Sequence, residues 1–441
     1  MLYRINNRLD DFLSNSFFYF ILAFFAVRAN DIRKAEGLLE KYLHSGAAVT
    51  ALRVFLWVLC AVTVLMYLCR LLDGKLKKRP VMLLGLLALH GVILLVTLFY
   101  GGASGYWINW AAGLAMAMAL DMGLQRDRDS VLNGFSLALL FWLILNLPVR
   151  LLVPEGLNGP DPSPYFVPEW LIGNRVFYYR LAFPALCFEM IRGQSKDGLW
   201  SLRMLITLPV VFATVALQRG GTALAGFALM MAMFIFFNRR ALPAWANPLT
   251  MLALSVLVFI GLQFLHVQNL FSTILTSLLH RDVTLNFRTN IWTDVLEIIK
   301  KYPLTGIGLV PVSYMQQILH STPETPLNHC HNQLLEIMLH GGVLALIPYV
   351  GMVWYAARQT VRYRNCVAVK TAALLLMTFL FMGTVDIFHN DPLYYPLFIL
   401  VGCAEFLVPQ PAPQTPYVSF RGRIAMDSRQ LKEKGLESFL E

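Results

Sequence analysis

Hydrophobic residues in this chain do not alternate with polar ones; they come in long runs rich in Leu, Val and Phe, separated by short polar stretches. Runs near the roughly 20 residues that cross a bilayer predict transmembrane helices. Continuous apolarity excludes a β-barrel, whose strands alternate. Twelve segments are predicted, at about 12–27, 48–69, 80–99, 104–122, 132–151, 171–191, 204–217, 222–237, 248–267, 333–357, 367–388 and 393–408. The first run, Phe17 to Val27, has no small-residue cleavage site and many spans follow it, so it reads as a span and not as a removable signal peptide. One polar insert is much longer than the rest, roughly 268–332. Inside it Ile291, Val295, Ile298 and Tyr302 recur at helical spacing, predicting a helix from an Asn286 N-cap to Pro303. From Pro409 the chain turns polar, a linker and tail. The predicted fold is an all-α polytopic membrane protein: a membrane domain over 1–408 with a large outer helical loop, and a cytoplasmic tail over 409–441.

Composition agrees with the pattern. Hydrophobic residues make up 57% of the chain and charged ones 14%, against about 25% charged in soluble domains. Mean hydropathy is +0.58. Lys and Arg set the orientation. With both termini cytoplasmic, the inner segments hold Arg70, Lys75, Lys77, Lys78, Arg79, Arg126, Arg128, Arg192, Lys196, Arg203, Arg239, Arg240, Arg358, Arg362 and Arg364. Outer loops at 100–103, 152–170 and 389–392 hold no Lys or Arg. Only the outer segment 28–47 is discordant, and Asp31, Glu36 and Glu40 largely balance its cations. The net charge of +10 is therefore mostly topological. It suits anionic inner-leaflet lipid and does not indicate nucleic acid.

Cysteines suggest no disulfide framework: Cys60, Cys69, Cys187 and Cys403 lie in spans, Cys366 at an inner end, and Cys330 alone is expected to face outward. His329 and His331 flank Cys330, but no second ligand pair stands at a recognisable spacing, so no metal is expected. His can exchange protons near neutral pH, and here two histidines and an amide, Asn332, precede a hydrophobic helix at the end of the insert. Arginines form the other pattern. Arg53, Arg150, Arg175 and Arg180 fall in the outer halves of their spans, and Arg219 in the turn Gln218-Arg219-Gly220-Gly221. Arg53 and Arg150 read as snorkelling to the outer headgroups, whereas Arg180 lies deeper. Ionisable groups inside spans usually face a wet or interior site. Arg288, in the first turn of the insert helix, adds its charge to the positive helix end. Together these suggest an outward cationic cavity for an anion such as a lipid pyrophosphate, which Arg binds in a bidentate way.

Leu285-Asn286-Phe287-Arg288 with Trp292, Tyr302-Pro303-Leu304-Thr305-Gly306-Ile307-Gly308, His329-Cys330-His331-Asn332 and Gly341-Gly342 occur here in that order. This set resembles the bacterial O-antigen ligase and polysaccharide polymerase family. Gln218-Arg219-Gly220-Gly221 is similar to the family's Ser-Arg-Gly turn, with Gln where Ser is common, and Leu171-Ile172-Gly173-Asn174-Arg175 looks like the polymerases' Gly-Asn segment. The resemblance implies an inverting glycosyltransferase without metal or cofactor, in the plasma (inner) membrane of a bacterium. Its donor would be an undecaprenyl-pyrophosphate-linked oligosaccharide. The acceptor would be a second lipid-linked repeat unit, slightly favoured by the Gly-Asn segment, or a lipid A core sugar. A flippase and a chain-length regulator are implied as partners. In this reading His331 is the base, Arg219 and Arg288 clamp the pyrophosphate, and Arg180 and Arg175 are secondary contacts. Asn332 orients His331 or caps the next helix, His329 is a neighbour, and His340 is a packed histidine. The competing class is a twelve-span secondary transporter or polysaccharide exporter, which would show two similar halves and broken helices near the midplane.

Overall fold

A computed structural model describes residues 15–27, 46–77, 80–100, 102, 107–157, 168–174, 178–196, 202–218, 221–237, 241–271, 288–318, 329–388 and 391–408. Each predicted apolar segment coincides with a helix there. These are α1 Ser16–Ala26, α2 Gly46–Leu72, α3 Val81–Phe99, α4 Trp107–Arg126, α5 Arg128–Leu152, α6 Tyr178–Lys196, α7 Leu202–Gln218, α8 Gly221–Phe237 and α9 Pro248–Gln263. The insert contributes α10 Arg288–Lys301 and α11 Val312–Ile318. Then come α12 Gln333–Arg362, α13 Val367–Met382, α14 Tyr394–Gly402 and the short α15 Ala404–Leu407. The tail 409–441, the Asn286 N-cap and the remainder of the insert at 272–287 and 319–328 lie outside the described residues.

Four of these helices, including α3 and α12, are long and apolar enough to cross a membrane, and α1, α7, α8, α9 and α13 are shorter apolar helices. Side-chain placement points the same way. Nearly all of α13 and every residue of α14 is buried, so these two sit at the centre of the bundle. The periphery exposes large apolar side chains, among them Leu72, Leu95, Phe99, Phe212, Ile235 and Phe236. A soluble monomer rarely exposes so much contiguous apolar surface, and in lipid it costs nothing. The chain is a multi-pass all-α membrane protein.

Two segments end differently from the sequence expectation. The segment 171–191 becomes helical only at Tyr178, because its first residues join a small antiparallel hairpin, β1 Glu169–Trp170 with β2 Gly173–Asn174. Tertiary contacts with the end of α5 override the apolar run. Asn146 Oδ1 accepts from the Ile172 N–H at 3.1 Å, the Trp170 indole donates to the Val153 carbonyl at 2.6 Å, and Arg150 stacks on Trp170 at 3.7 Å. Arg150 is thus held by an aromatic ring. The segment 367–388 stops being helical at Met382, and 383–388 is a loop.

The long helix α12 is broken at Gly342, whose φ of 57° and ψ of −156° lie outside helical values. A break in a buried helix orphans backbone donors and acceptors, which in an apolar medium must find partners. The Pro303–Gly308 loop supplies them. Val343 N–H donates to the Pro303 carbonyl at 2.9 Å and Leu344 N–H to the Leu304 carbonyl at 3.2 Å. In return Ile307 N–H donates to Leu339 at 2.7 Å and Gly308 N–H to His340 at 3.2 Å. A Cβ at Gly342 would run into the Leu304 carbonyl, and one at Gly306 into the Leu339 carbonyl. The Pro-Leu-Thr-Gly-Ile-Gly turn and the Gly-Gly pair are therefore two halves of one joint, and that joint docks α10 against α12.

Gly342→Ala adds a steric overlap to a positive-φ, extended backbone conformation that is essentially reserved for glycine and alone costs another residue about 1–3 kcal/mol. Gly351, in the same helix, meets nothing within 4 Å. Thermal unfolding of the purified protein should show a clear drop in Tm for Gly342→Ala and little change for Gly351→Ala; equal Tm values for both would contradict the joint.

Candidate active site

The joint positions the histidine motif through α10. Ile291, Trp292, Val295 and Ile299 of α10 pack in one cluster with Cys330 and with Leu335 and Leu339 of α12. The Trp292 indole donates to the Cys330 carbonyl at 3.0 Å. Arg288 precedes Trp292 by four residues and so shares its helix face, which brings its charge to bear on both histidines. Cys330 is fully buried within the protein. The physical reason is its hydrogen bonding: its N–H donates to Glu336 Oε2 at 2.8 Å and its thiol to the Asn332 carbonyl at 3.3 Å. The rings on either side, His329 and His331, sit with centroids 4.1 Å apart. His331 adopts a positive φ of 53°, an uncommon conformation for a residue with a side chain and one that clusters at functional sites.

Asn332 caps α12. Its Oδ1 accepts from the Leu334 and Leu335 N–H groups at 3.0 Å each, and its Nδ2 donates to the Thr384 carbonyl at 3.0 Å. Gln333 extends the tie: its N–H donates to the Gly383 carbonyl at 2.8 Å, and its side-chain oxygen accepts from the Phe388 N–H. Thr384 also bonds Ser255 of α9 at 2.7 Å. The loop after α13 is thereby held against the start of α12, and it carries Asp386.

Asp386 accepts from the Arg180 guanidinium at 2.9 Å, from the Tyr179 hydroxyl and from the Ile387 N–H. A second Arg180 nitrogen is 4.0 Å from Asp391. Gln218, last residue of α7, accepts from the Tyr179 N–H at 3.1 Å and ties that helix to the same corner.

The predicted residues Arg180, Arg288, His329, His331 and Asn332 thus converge. Arg175 and Arg219 lie outside the described residues, although Gln218 immediately precedes Arg219. Arg180 is paired with Asp386, so any contact it makes with an anion is shared with that carboxylate. Asp386 and Tyr179 were not anticipated. A signal existed for the aspartate, since a carboxylate in the predicted span 367–388 is as anomalous as the arginines that were noticed.

Burial pushes the His329 imidazole down to about 4, with Arg180 and Arg288 acting in the same direction and Asp386 against it. His331 is driven well below the usual imidazole range by burial first, then by His329 and Arg288. Burial would raise the Asp386 carboxyl, but Arg180 and the Tyr179 hydrogen bond outweigh it and hold it below the ordinary value. At neutral pH the site therefore holds two neutral imidazoles beside an ionised carboxylate. His331 Nδ1 is buried and has no hydrogen-bond partner among the described residues. A neutral imidazole with an uncommitted nitrogen beside a carboxylate can take a proton, and the carboxylate then stabilises the cation.

Residues 202–350 match the family described as O-Antigen ligase. The match includes Arg219, Arg288, the histidine motif and the Gly-Gly break, and stops short of Arg180 and Asp386. No curated protein and no solved structure matches the chain.

Two substitutions should move His331 in opposite directions. Arg288→Gln removes a charge that opposes protonation and should raise its pKa, whereas Asp386→Asn removes the charge that favours it and should lower it further. NMR titration of labelled histidine should place His331 in the parent protein below the unperturbed value of about 6.5; a value at or above that figure would contradict the buried, cation-flanked environment.

Proposed function

We propose that this chain, which carries an O-antigen ligase/polymerase family domain over residues 202–350, is a metal-independent, inverting glycosyltransferase of the bacterial inner membrane. Its donor is an undecaprenyl-pyrophosphate-linked glycan at the outer face, and it serves cell-surface polysaccharide synthesis. In this reading twelve helices span the bilayer, both termini are cytoplasmic, and the insert faces outward. The observation that carries the reading is the meeting of His331, Arg288 and the Arg180–Asp386 pair at one end of the bundle. The family match counts against a twelve-span carrier.

The chemistry follows from the groups present. His331 takes the proton of an acceptor hydroxyl as its oxygen attacks the anomeric carbon. The bond from that carbon to the pyrophosphate oxygen breaks, and its electron pair leaves with the pyrophosphate. Arg288 and Arg219 meet the departing charge, the role that fixed donors play in other transition states. One displacement inverts the anomeric centre. Asp386 stabilises the His331 cation, and Arg180 and Tyr179 hold Asp386 in place. Asn332, with its amide committed to the cap and to Thr384, positions His331. A second lipid-linked repeat unit is the favoured acceptor over a lipid A core sugar, on the likeness of the Gly173-Asn174 segment to the polymerases. A flippase that delivers the donor and a chain-length regulator are the partners this role requires.

His331→Ala should abolish transfer in a glycan-ladder assay while leaving donor binding largely intact, and His329→Ala should do less harm. Arg288→Ala and Arg219→Ala should each lower turnover by roughly 10²–10³, with Lys restoring only part because the planar fork is lost. Full activity in His331→Ala at matched expression would remove the base assignment.

Orientation is tested separately. In a chain with Cys330 replaced, an impermeant maleimide applied to intact cells or spheroplasts should label a single cysteine introduced at Ser321 but not one at Ser428. The reverse pattern would invert the topology.

A further inference from the structure

Along one stripe, α9 meets the elements that build the histidine cluster. Ser255 bonds Thr384, in the loop that carries Asp386, at 2.7 Å. One turn on, the Phe259 ring meets the Trp292 indole edge-on, with centroids 5.2 Å apart. One turn further, Gln263 Nε2 donates to the Thr293 hydroxyl at 2.9 Å. Residues four apart share a helix face, so Gln263 ends this stripe. It lies eight residues beyond Ser255, about 12 Å at the helical rise, at the end of α9 from which the insert begins.

The orientation of the Gln263 amide is fixed by its neighbour. Thr293 gives its one hydroxyl proton to the Thr289 carbonyl at 3.0 Å, so toward Gln263 it can only accept. Gln263 must therefore turn its NH₂ to Thr293 and its oxygen elsewhere. That oxygen is buried and has no hydrogen-bond partner among the described residues, in a residue only 8% exposed. A second acceptor of this kind stands close by in the chain. The 3₁₀ turn Val267–Phe271 folds back on the end of α9, with Val267 beside Gly261. Gln268 in that turn is 6% exposed, and its side-chain oxygen also lacks a partner among the described residues.

A buried acceptor without a donor is costly. Two of them call for a ligand that brings hydrogen-bond donors. Phosphate oxygens cannot donate, whereas sugar hydroxyls can. Thr293 follows Arg288 by five residues on α10. The Gln263 amide is thus anchored to the helix whose arginine meets the donor pyrophosphate in the proposed function, which favours the donor glycan over the acceptor.

We propose that the side-chain oxygens of Gln263 and Gln268 accept hydrogen bonds from sugar hydroxyls of the donor glycan and so help to select its sugars. The assignment rests on the glycosyltransferase reading, which supplies the saccharide.

The test measures binding of undecaprenyl pyrophosphate, with and without its attached repeat unit, to the full-length protein in nanodiscs. A His331→Ala background prevents turnover. Before further substitution, the sugar-bearing lipid should bind more tightly than the bare one. Gln263→Leu should weaken binding of the sugar-bearing lipid by roughly 3–10-fold and leave that of the bare lipid unchanged. Thr293→Val frees the amide to turn and should have a smaller effect in the same direction; it takes the place of Gln263→Leu should that variant fail to fold. Equal binding of the two lipids before substitution would overturn the proposal and leave the glycosyltransferase reading standing. So would a sugar-dependent gain that survives undiminished in Gln263→Leu or, where that variant does not fold, in Thr293→Val. Failure to bind either lipid would remove the reading itself, and the proposal with it. With His331 restored, lowered transfer in Gln263→Leu alongside an intact sugar-dependent gain would overturn the proposal in favour of a contact with the acceptor.

Discussion

The N-terminus of α12 is the joint on which the geometry around the histidines depends. A helix start leaves backbone donors without partners, and an apolar surrounding makes each of them costly. Asn332 meets two of them with its own oxygen, and its amide nitrogen donates to the Thr384 carbonyl. Gln333 binds the same loop at both of its ends, through Gly383 and Phe388. Satisfying this helix start therefore fixes the loop that carries Asp386, and through Asp386 the arginine of α6. His331 stands immediately before the cap. Its environment is set by hydrogen bonds that it does not itself make.

The recurring residues around this point divide into two kinds. Trp292, Cys330, Asn332, the Pro-Leu-Thr-Gly-Ile-Gly turn and the Gly-Gly break are consumed by packing and backbone satisfaction. They hold α10 and the break in α12 in register. His331 differs, with a buried nitrogen that has no partner among the described residues and a backbone conformation uncommon for its type. A motif legible as a single signature in the sequence is thus mostly scaffold around few reacting groups.

Much of this was legible in the sequence because membrane insertion writes strong signals. Apolar runs located the helices, and the pairing of Arg288 with Trp292 followed from a spacing of four. Less legible was everything set by long-range hydrogen bonds. The hairpin before α6 depends on Asn146 and Val153 of a different helix, and no local pattern announces it. The end of α13 at Met382 is hidden because Val385, Ile387 and Phe388 continue the apolar run. Asp386 is hidden by the apolar run around it, and its tie to Arg180, like the approach of Asp391, is set by contacts distant in sequence. Its effect is substantive: a pattern of arginines that suggested a purely cationic cavity becomes an ion pair at Arg180, with Arg288 left to act on the histidines.

The proposed function rests on one chemical claim: a neutral, buried imidazole accepts a proton while arginine, and not a metal, receives a leaving pyrophosphate. The direct measurement follows the purified protein in liposomes containing a chelator and a lipid-linked repeat unit, quantifying released undecaprenyl pyrophosphate and determining the anomeric configuration of the new linkage by NMR. The account predicts one lipid pyrophosphate released per linkage formed, with the anomeric configuration inverted. Retained configuration, dependence on added metal, or movement of intact donor with no linkage formed would contradict it.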